Sequence, residues 1–136
     1  MNNTTKQQLA ELSGRISPTE GEKLMQLASQ LSLGALIVEI GSYRGKSTCY
    51  MAAGLVSAKN TNSKIQAIDI WTLGGTVSNK YHTKETWELF KSQVLKMGYE
   101  NIIIPIMGKS IDVATRHIQP INMLFIDGSH KYKDVF

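Results

Sequence analysis

Apolar and polar positions along this chain divide it into short strand-like runs and longer helical segments, in alternating order. Apolar-rich runs at residues 35–40, 64–69, 101–107 and 121–127 predict strands. The first run has no polar alternation before Glu39, which is typical of a parallel strand buried on both faces. Segments 46–58, 84–97 and 110–117 between the runs are predicted to be helices. The alternation predicts an α/β fold with a mostly parallel sheet and helices on both faces.

The first 34 residues are predicted to be two helices that precede the sheet. A short polar-faced helix is expected over residues 4–15. Ser17-Pro18-Thr19-Glu20 then gives a capping sequence for a second helix, which Gly34 is expected to end. We therefore divide the chain into residues 1–34, a helical cap on the acceptor side, and residues 35–136, the sheet domain.

The sheet domain is expected to be incomplete after its fourth strand. The sequence stops at Phe136, inside the helix predicted to follow residues 121–127. Strand four would then be a long apolar edge, which proteins normally cover. We expect either further polypeptide or another chain at this edge, and a homo-oligomer is one way to provide it.

Composition narrows the class of protein without identifying it. The 136 residues suit one domain, and 42% hydrophobic and 19% charged residues are an ordinary globular balance. The net charge of +4 is scattered, so no nucleic-acid partner is predicted. No apolar stretch is long enough to span a membrane, and the polar N-terminus is unlike a secretion signal. The single cysteine, Cys49, is expected to be a buried structural thiol, and the predicted location is cytoplasmic.

The strongest local motif is V-E-I-G-S-Y-R-G-K-S-T at residues 38–48, which predicts a strand, a tight glycine loop and a helix start. Gly41 and Gly45 would let a ligand approach the backbone closely, because they have no Cβ. Glu39, at the strand end, would repel a phosphate and attract a ligand that carries an ammonium and a sulfonium. The loop therefore predicts S-adenosylmethionine (SAM) before any nucleotide phosphate.

Acidic residues stand near the ends of three predicted strands: Glu39, Asp69 and Asp127. Ligands of open α/β sheets bind at this end, and Asp69 lies where an acid could hold ribose hydroxyls. Trp71 is predicted to pack beside the adenine or, as an open alternative, in the core. The predicted cofactor-binding residues are Glu39, Gly41, Ser42, Tyr43, Gly45, Ser47, Asp69, Ile70, Trp71, Gly108, Ser110 and Asp127.

A second motif, Asp127-Gly128-Ser129-His130, follows the fourth apolar run. The glycine would permit a sharp turn that brings His130 to the same pocket as Asp127. Histidine titrates near neutral pH, so His130 is the predicted catalytic base.

Three motifs in order, residues 38–48, A-I-D-I-W and L-F-I-D-G-S-H-K-Y, resemble the class I SAM-dependent methyltransferases. The resemblance covers about residues 35–136 and is nearest to the branch called methyltransferase domain 24, close to antibiotic-sugar and cephalosporin-type O-methyltransferases. It implies a Rossmann-like domain in which the Glu39 loop holds the methionine part of SAM and Asp69 binds the ribose.

The same resemblance implies O-methylation of a small-molecule hydroxyl, with His130 as the base. In related divalent-metal enzymes the acid matching Asp127 is a metal ligand, so Mg²⁺ at Asp127 is a further expectation. The Asp/Asn-type pair that completes that metal site follows the next strand and has no counterpart in this sequence.

Two alternatives stay open at this stage. A P-loop nucleotide-binding protein is suggested by Gly41 to Thr48, although only three residues separate Gly41 and Gly45 where the phosphate loop needs four. A non-catalytic SAM-binding module is the other. A dinucleotide dehydrogenase is disfavoured, because G-x-x-x-G is not G-x-G-x-x-G.

Overall fold

A computed structural model describes residues 3–71, 84–117 and 119–127 of the chain. In order, its elements are α1 (Asn3–Glu11), α2 (Pro18–Ser29), β1 (Leu36–Ile40), α3 (Lys46–Ser57), β2 (Lys64–Asp69), α4 (Lys84–Met97), β3 (Ile103–Met107), α5 (Ser110–Arg116) and β4 (Met123–Ile126).

The strands form one parallel sheet in the order β3-β2-β1-β4. Ile37 of β1 pairs with Ile65 of β2 on one side and Met123 of β4 on the other. Strand order therefore reverses at β1, and all four carboxyl ends meet along one edge of the sheet. This confirms the predicted α/β, Rossmann-like arrangement.

Helices cover both faces of the sheet, as predicted. Residues of α1 to α4 share the larger core with inward-facing sheet residues such as Ile37 and Ile65. On the opposite face, Val113 of α5 packs with Val38 and Ile68. The alternation of Ile37 and Val38 between the two faces follows from the two-residue period of a strand.

The N-terminal helices begin and end for identifiable reasons. The capping box at α2 is formed: Ser17 Oγ accepts from the Glu20 N–H, and Glu20 Oε1 accepts from the Ser17 N–H, both at 3.2 Å. The expectation that this helix runs to Gly34 is wrong, because it ends at Ser29. Helix α1 also ends earlier than expected, at Glu11, because the Ser13 backbone is bonded to α4 instead.

Helices α2 and α3 cross too closely for any larger residue at two glycines. A Cβ on Gly54 would lie 2.2 Å from the Met25 carbonyl oxygen, and one on Gly21 would lie 2.4 Å from the Tyr50 ring. Residues 3–34 therefore share a core with the sheet rather than packing by themselves. Their separate role as a cap on the acceptor side stays a prediction.

The two sheet edges in the described residues differ in character. Strand β3 is one edge, which explains how Pro105 is tolerated there, since proline has no N–H to donate to a neighbour. Strand β4 is the other, but it is four residues long, shorter than the expected 121–127. Leu124 and Ile126 of β4 are exposed. Among the described helices, none is both long and apolar enough to cross a membrane.

Candidate cofactor site

The candidate site lies where strand order reverses, between the carboxyl ends of β1 and β4. The five-residue loop Gly41–Gly45, called the glycine loop below, follows β1 and leads into α3. Beside it, the Asp127 N–H donates to the Ile40 carbonyl at 2.8 Å. A crevice at such a reversal is the usual ligand site of an open α/β sheet.

Strand β2 holds the start of the glycine loop. The N–H groups of Gly41 and Ser42 both donate to the Ile68 carbonyl, at 2.8 and 3.2 Å. Gly41 and Gly45 have φ angles of 86° and 85°, a region that residues with a Cβ rarely adopt. The glycines at these two positions are thus required by the backbone path of the turn.

Asp69 reaches from the end of β2 into the middle of the glycine loop. Its Oδ2 accepts from the Tyr43 N–H at 2.7 Å, and its Oδ1 accepts from the Trp71 N–H at 3.2 Å. The side chain is 4% exposed. Asp69 therefore stabilises Tyr43 at a φ of 52°, which is unusual for a residue other than glycine.

Trp71 lies in the core, which was one of the two alternatives open from the sequence. It is 1% exposed, and its ring centroid is 4.7 Å from those of Trp87 and Phe90. Its Nε1 donates to the Tyr43 carbonyl at 2.8 Å. Trp71 thus holds the Tyr43 carbonyl of the glycine loop from the core side through its indole nitrogen.

Glu39 is fully buried behind the glycine loop, against the first turn of α3. Its two carboxylate oxygens accept hydrogen bonds from the hydroxyls of Ser47 and Thr48. Burial raises the pKa of Glu39, whereas these two hydroxyls lower it. The sequence hypothesis had this carboxylate facing a cationic ligand. In the structure its oxygens are bonded to α3, and direct contact with a cofactor stays a prediction.

Ser42 provides a buried polar atom at the loop. The residue is 2% exposed, and its Oγ has no well-formed hydrogen bond within the part of the chain that the structure describes. The hydroxyl is still near enough to Glu39 to lower the pKa of that carboxyl. Buried hydroxyls are normally hydrogen-bonded, so this atom fits a site that receives a polar ligand group.

The other predicted contact residues follow β2, β3 and β4 along the same edge. Ile70 is half-buried after β2, the Gly108 N–H donates to the Asp69 carbonyl at 2.9 Å, and Ser110 begins α5. Asp127 is exposed after β4. The fold thus brings the predicted residues to one edge of the sheet. Cofactor contact stays a prediction for each of them.

The predicted metal and base cannot be assembled from the described residues. His130 lies outside them. In residues 3–71, 84–117 and 119–127, no three His, Cys, Asp or Glu side chains come together as a metal site would require. Asp127 is therefore a single candidate ligand, and the described side chains do not make a set that fits Mg²⁺.

Gln93 and Ser13 support the glycine loop and were not identified from the sequence. The Gln93 amide bonds the backbones of Ser13 and Arg44, which lie 80 and 49 residues away. One signal existed: Gln93 stands directly before Val94 on the apolar face of α4, where a polar residue requires a partner.

Residues 38–136 match the model of a family described as a methyltransferase domain. The match covers more than half of the chain. The chain belongs to this methyltransferase domain family. No curated protein matches it by sequence.

Solved methyltransferases share the fold. An O-methyltransferase from Bacillus cereus in complex with SAH (S-adenosylhomocysteine) is 20% identical, with a TM-score of 0.67, over 94% of this chain and 56% of its own. TomG, an O-methyltransferase of tomaymycin synthesis from Streptomyces achromogenes in complex with SAM, is 18% identical, with a TM-score of 0.64, over 93% of this chain and 54% of its own. The SAH-bound methyltransferase PaMTH1 from Podospora anserina is 14% identical, with a TM-score of 0.68, over 93% of this chain and 50% of its own. The chain thus spans about half the length of these methyltransferases.

Proposed function

We propose that this methyltransferase-family chain binds SAM at the carboxyl edge of its sheet and methylates a hydroxyl oxygen of a small molecule. The observation that carries the proposal is the glycine loop at the strand-order reversal, held by Asp69 and backed by the buried Ser42 hydroxyl. Two of the similar proteins, solved in complex with SAH or SAM, are O-methyltransferases, which favours oxygen as the acceptor atom.

The polar groups of the site suit the parts of SAM. When bound, SAM supplies a methyl group on a positively charged sulfur, open to attack by a nucleophilic oxygen. The carboxylate of Asp69 can accept hydroxyl hydrogens of a ribose with oxygens oriented by the Tyr43 and Trp71 N–H groups. The Ser42 hydroxyl would bond the methionine part of SAM. The main contribution of these groups would be to position the reactants.

The buried carboxylate of Glu39 argues against the phosphate-binding alternative. A helix N-terminus attracts anions, and a P-loop uses that attraction for its phosphates. Here Glu39 already occupies the first turn of α3 through Ser47 and Thr48. A phosphate at the same helix start would compete with the Glu39 carboxyl for this position, whereas a ligand with an ammonium group would not be repelled by it.

The base, metal and acceptor are the finer parts of the proposal. His130 would take the proton that the hydroxyl loses, so that the oxygen forms its bond to carbon as the carbon–sulfur bond breaks. Mg²⁺ at Asp127 is an addition to be tested rather than a required step, given the incomplete ligand set. A small hydroxylated molecule is the proposed partner, and self-association at the β4 edge is a separate proposal.

The experiment is a titration of the 136-residue chain with SAH and, separately, Mg-ATP, followed by a screen of hydroxylated acceptors with and without Mg²⁺. We expect SAH to bind and ATP not to bind. In the screen, we expect one class of acceptor to gain the mass of a methyl group when SAM is present. ATP binding without SAH binding would reject the proposal. SAH binding with no methylated product would support the non-catalytic module instead.

A further inference from the structure

We propose that the end of α1 and the turn after it, residues 10–14, position the glycine loop through Gln93, which makes Gln93 a positioning residue for the cofactor site. The inference rests on the proposed function. It extends the site to a segment outside residues 38–136, the part that matches the family model.

Gln93 joins the turn to the loop with one side-chain amide. Its Oε1 accepts from the Ser13 N–H at 2.6 Å, and its Nε2 donates to the Ser13 carbonyl at 3.0 Å and to the Arg44 carbonyl at 2.7 Å. Gln93 is 6% exposed, so its side-chain amide is largely removed from water. Only a group with both an acceptor and two donors can make all three, and a carboxylate cannot.

Three further contacts join the same turn to the loop and the start of α3. Arg44 Nη1 donates to Ser13 Oγ at 2.8 Å, and Lys46 Nζ donates to the Ala10 carbonyl at 2.9 Å. A Cβ on Gly14 would lie 2.6 Å from the Lys46 Cβ, so the turn lies directly against α3. These contacts do not involve Gln93, and they bring together segments more than 30 residues apart.

Holding the Arg44 carbonyl fixes a peptide in the half of the loop that Asp69 does not reach. Asp69 bonds the Tyr43 N–H and Trp71 bonds the Tyr43 carbonyl, whereas the Arg44 carbonyl is held by Gln93. Without the amide, the Ser13 and Arg44 carbonyls would lose a donor, and the loop would have to be ordered by the ligand. Ordering a loop on binding lowers affinity.

The test compares Gln93→Glu with Gln26→Glu, which makes the same change in charge on the exposed surface of α2. Calorimetry with SAH measures affinity, and hydrogen exchange of the ligand-free protein measures opening of residues 10–14 and 41–46. For Gln93→Glu we expect SAH to bind about tenfold more weakly, because the Ser13 and Arg44 carbonyls lose their donor. Exchange should rise in both segments together. Gln26→Glu should match the parent protein in both measurements.

Unchanged SAH affinity in a folded Gln93→Glu variant would overturn the inference, as would faster exchange spread evenly over the core. Gln93→Met, which has similar length and no amide, replaces the glutamate variant if the latter does not fold. The exchange measurement needs no ligand, so it decides whether turn and loop are coupled even if the parent protein fails to bind SAH. Failure of the parent protein to bind SAH would count against the proposed function and not against the coupling of turn and loop.

Discussion

Asp69 accepts a 2.7 Å hydrogen bond from the backbone N–H of Tyr43 and thereby fixes the centre of the glycine loop from the neighbouring strand. The acid at the end of β2 consequently has two roles in our account. It shapes the loop, and it presents a carboxylate at the edge where a ribose would lie. The predictions that follow separate loop shape from ligand contact.

Replacing Asp69 by asparagine should loosen the loop at nearly constant side-chain volume. The Asp69 carboxylate accepts hydrogen bonds from the backbone N–H groups of Tyr43 and Trp71. In the asparagine variant, the side-chain NH₂ would face one of these two N–H groups, and that hydrogen bond would be lost. We expect a loss of about 1–3 kcal/mol in the free energy of unfolding, measured by urea denaturation. Asp112→Asn on the exposed side of α5 is the control. Equal stability of the two variants would contradict a structural role for Asp69.

Gly45→Ala should cost more stability than Gly34→Ala, although both glycines have positive φ angles of 85° and 74°. A methyl group on Gly45 would lie 2.7 Å from the Phe90 ring, whereas nothing lies within 4 Å of one on Gly34. The left-handed backbone costs about 1–2 kcal/mol at either position. Overpacking against Phe90 should add about 1–3 kcal/mol at Gly45 alone. Chemical denaturation of both variants gives the comparison.

Glu39 should give the free energy of unfolding a specific dependence on pH. Burial raises its pKa in the folded protein above the ordinary value of 4.5. The folded state therefore keeps this proton to higher pH than the unfolded state does. The stability that Glu39 contributes is complete below pH 4.5 and is lost as pH rises through the higher folded-state pKa.

Glu39→Gln removes this titration. Its free energy of unfolding minus that of the parent should rise as the pH is increased from 4.5 toward neutrality. Urea denaturation at several pH values measures the difference, with the exposed Glu88→Gln of α4 as the control. A difference that falls with pH would mean that the pKa of Glu39 is lowered, not raised.

Cys49 should be unreactive in the folded protein. It is fully buried in α3, and burial raises the pKa of its thiol to about 12, so almost no thiolate is present near neutral pH. Iodoacetamide at neutral pH should modify Cys49 only after denaturant is added, as followed by mass spectrometry. Rapid modification of the native chain would show that the α3 core opens readily.

Much of the fold was predictable because its signals are local. The apolar run of β2 and the helical pattern of α4 gave the bounds that the structure shows, Lys64–Asp69 and Lys84–Met97. The capping box of α2 could also be predicted, since its two residues, Ser17 and Glu20, are only three positions apart. Placing acids at strand ends followed from the same local patterns.

What the sequence could not provide are interactions between distant residues. The side chain of Glu39 turns to Ser47 and Thr48, and no pattern in the strand indicates that direction. The helix expected to reach residue 15 stops at Glu11 because Ser13 pairs with Gln93, 80 residues later. Trp71 lies in the core because Trp87 and Phe90 on α4 pack against it.

The most direct test of the central claim is an NMR titration of the isotope-labelled chain with SAH, followed through its backbone amides. Our account predicts saturable shifts at the glycine loop, at Asp69 and Ile70, and at Gly108 to Ser110, with little change on α2. Saturable shifts confined to other surfaces, or none at the glycine loop at saturating SAH, would contradict a cofactor site at this edge of the sheet.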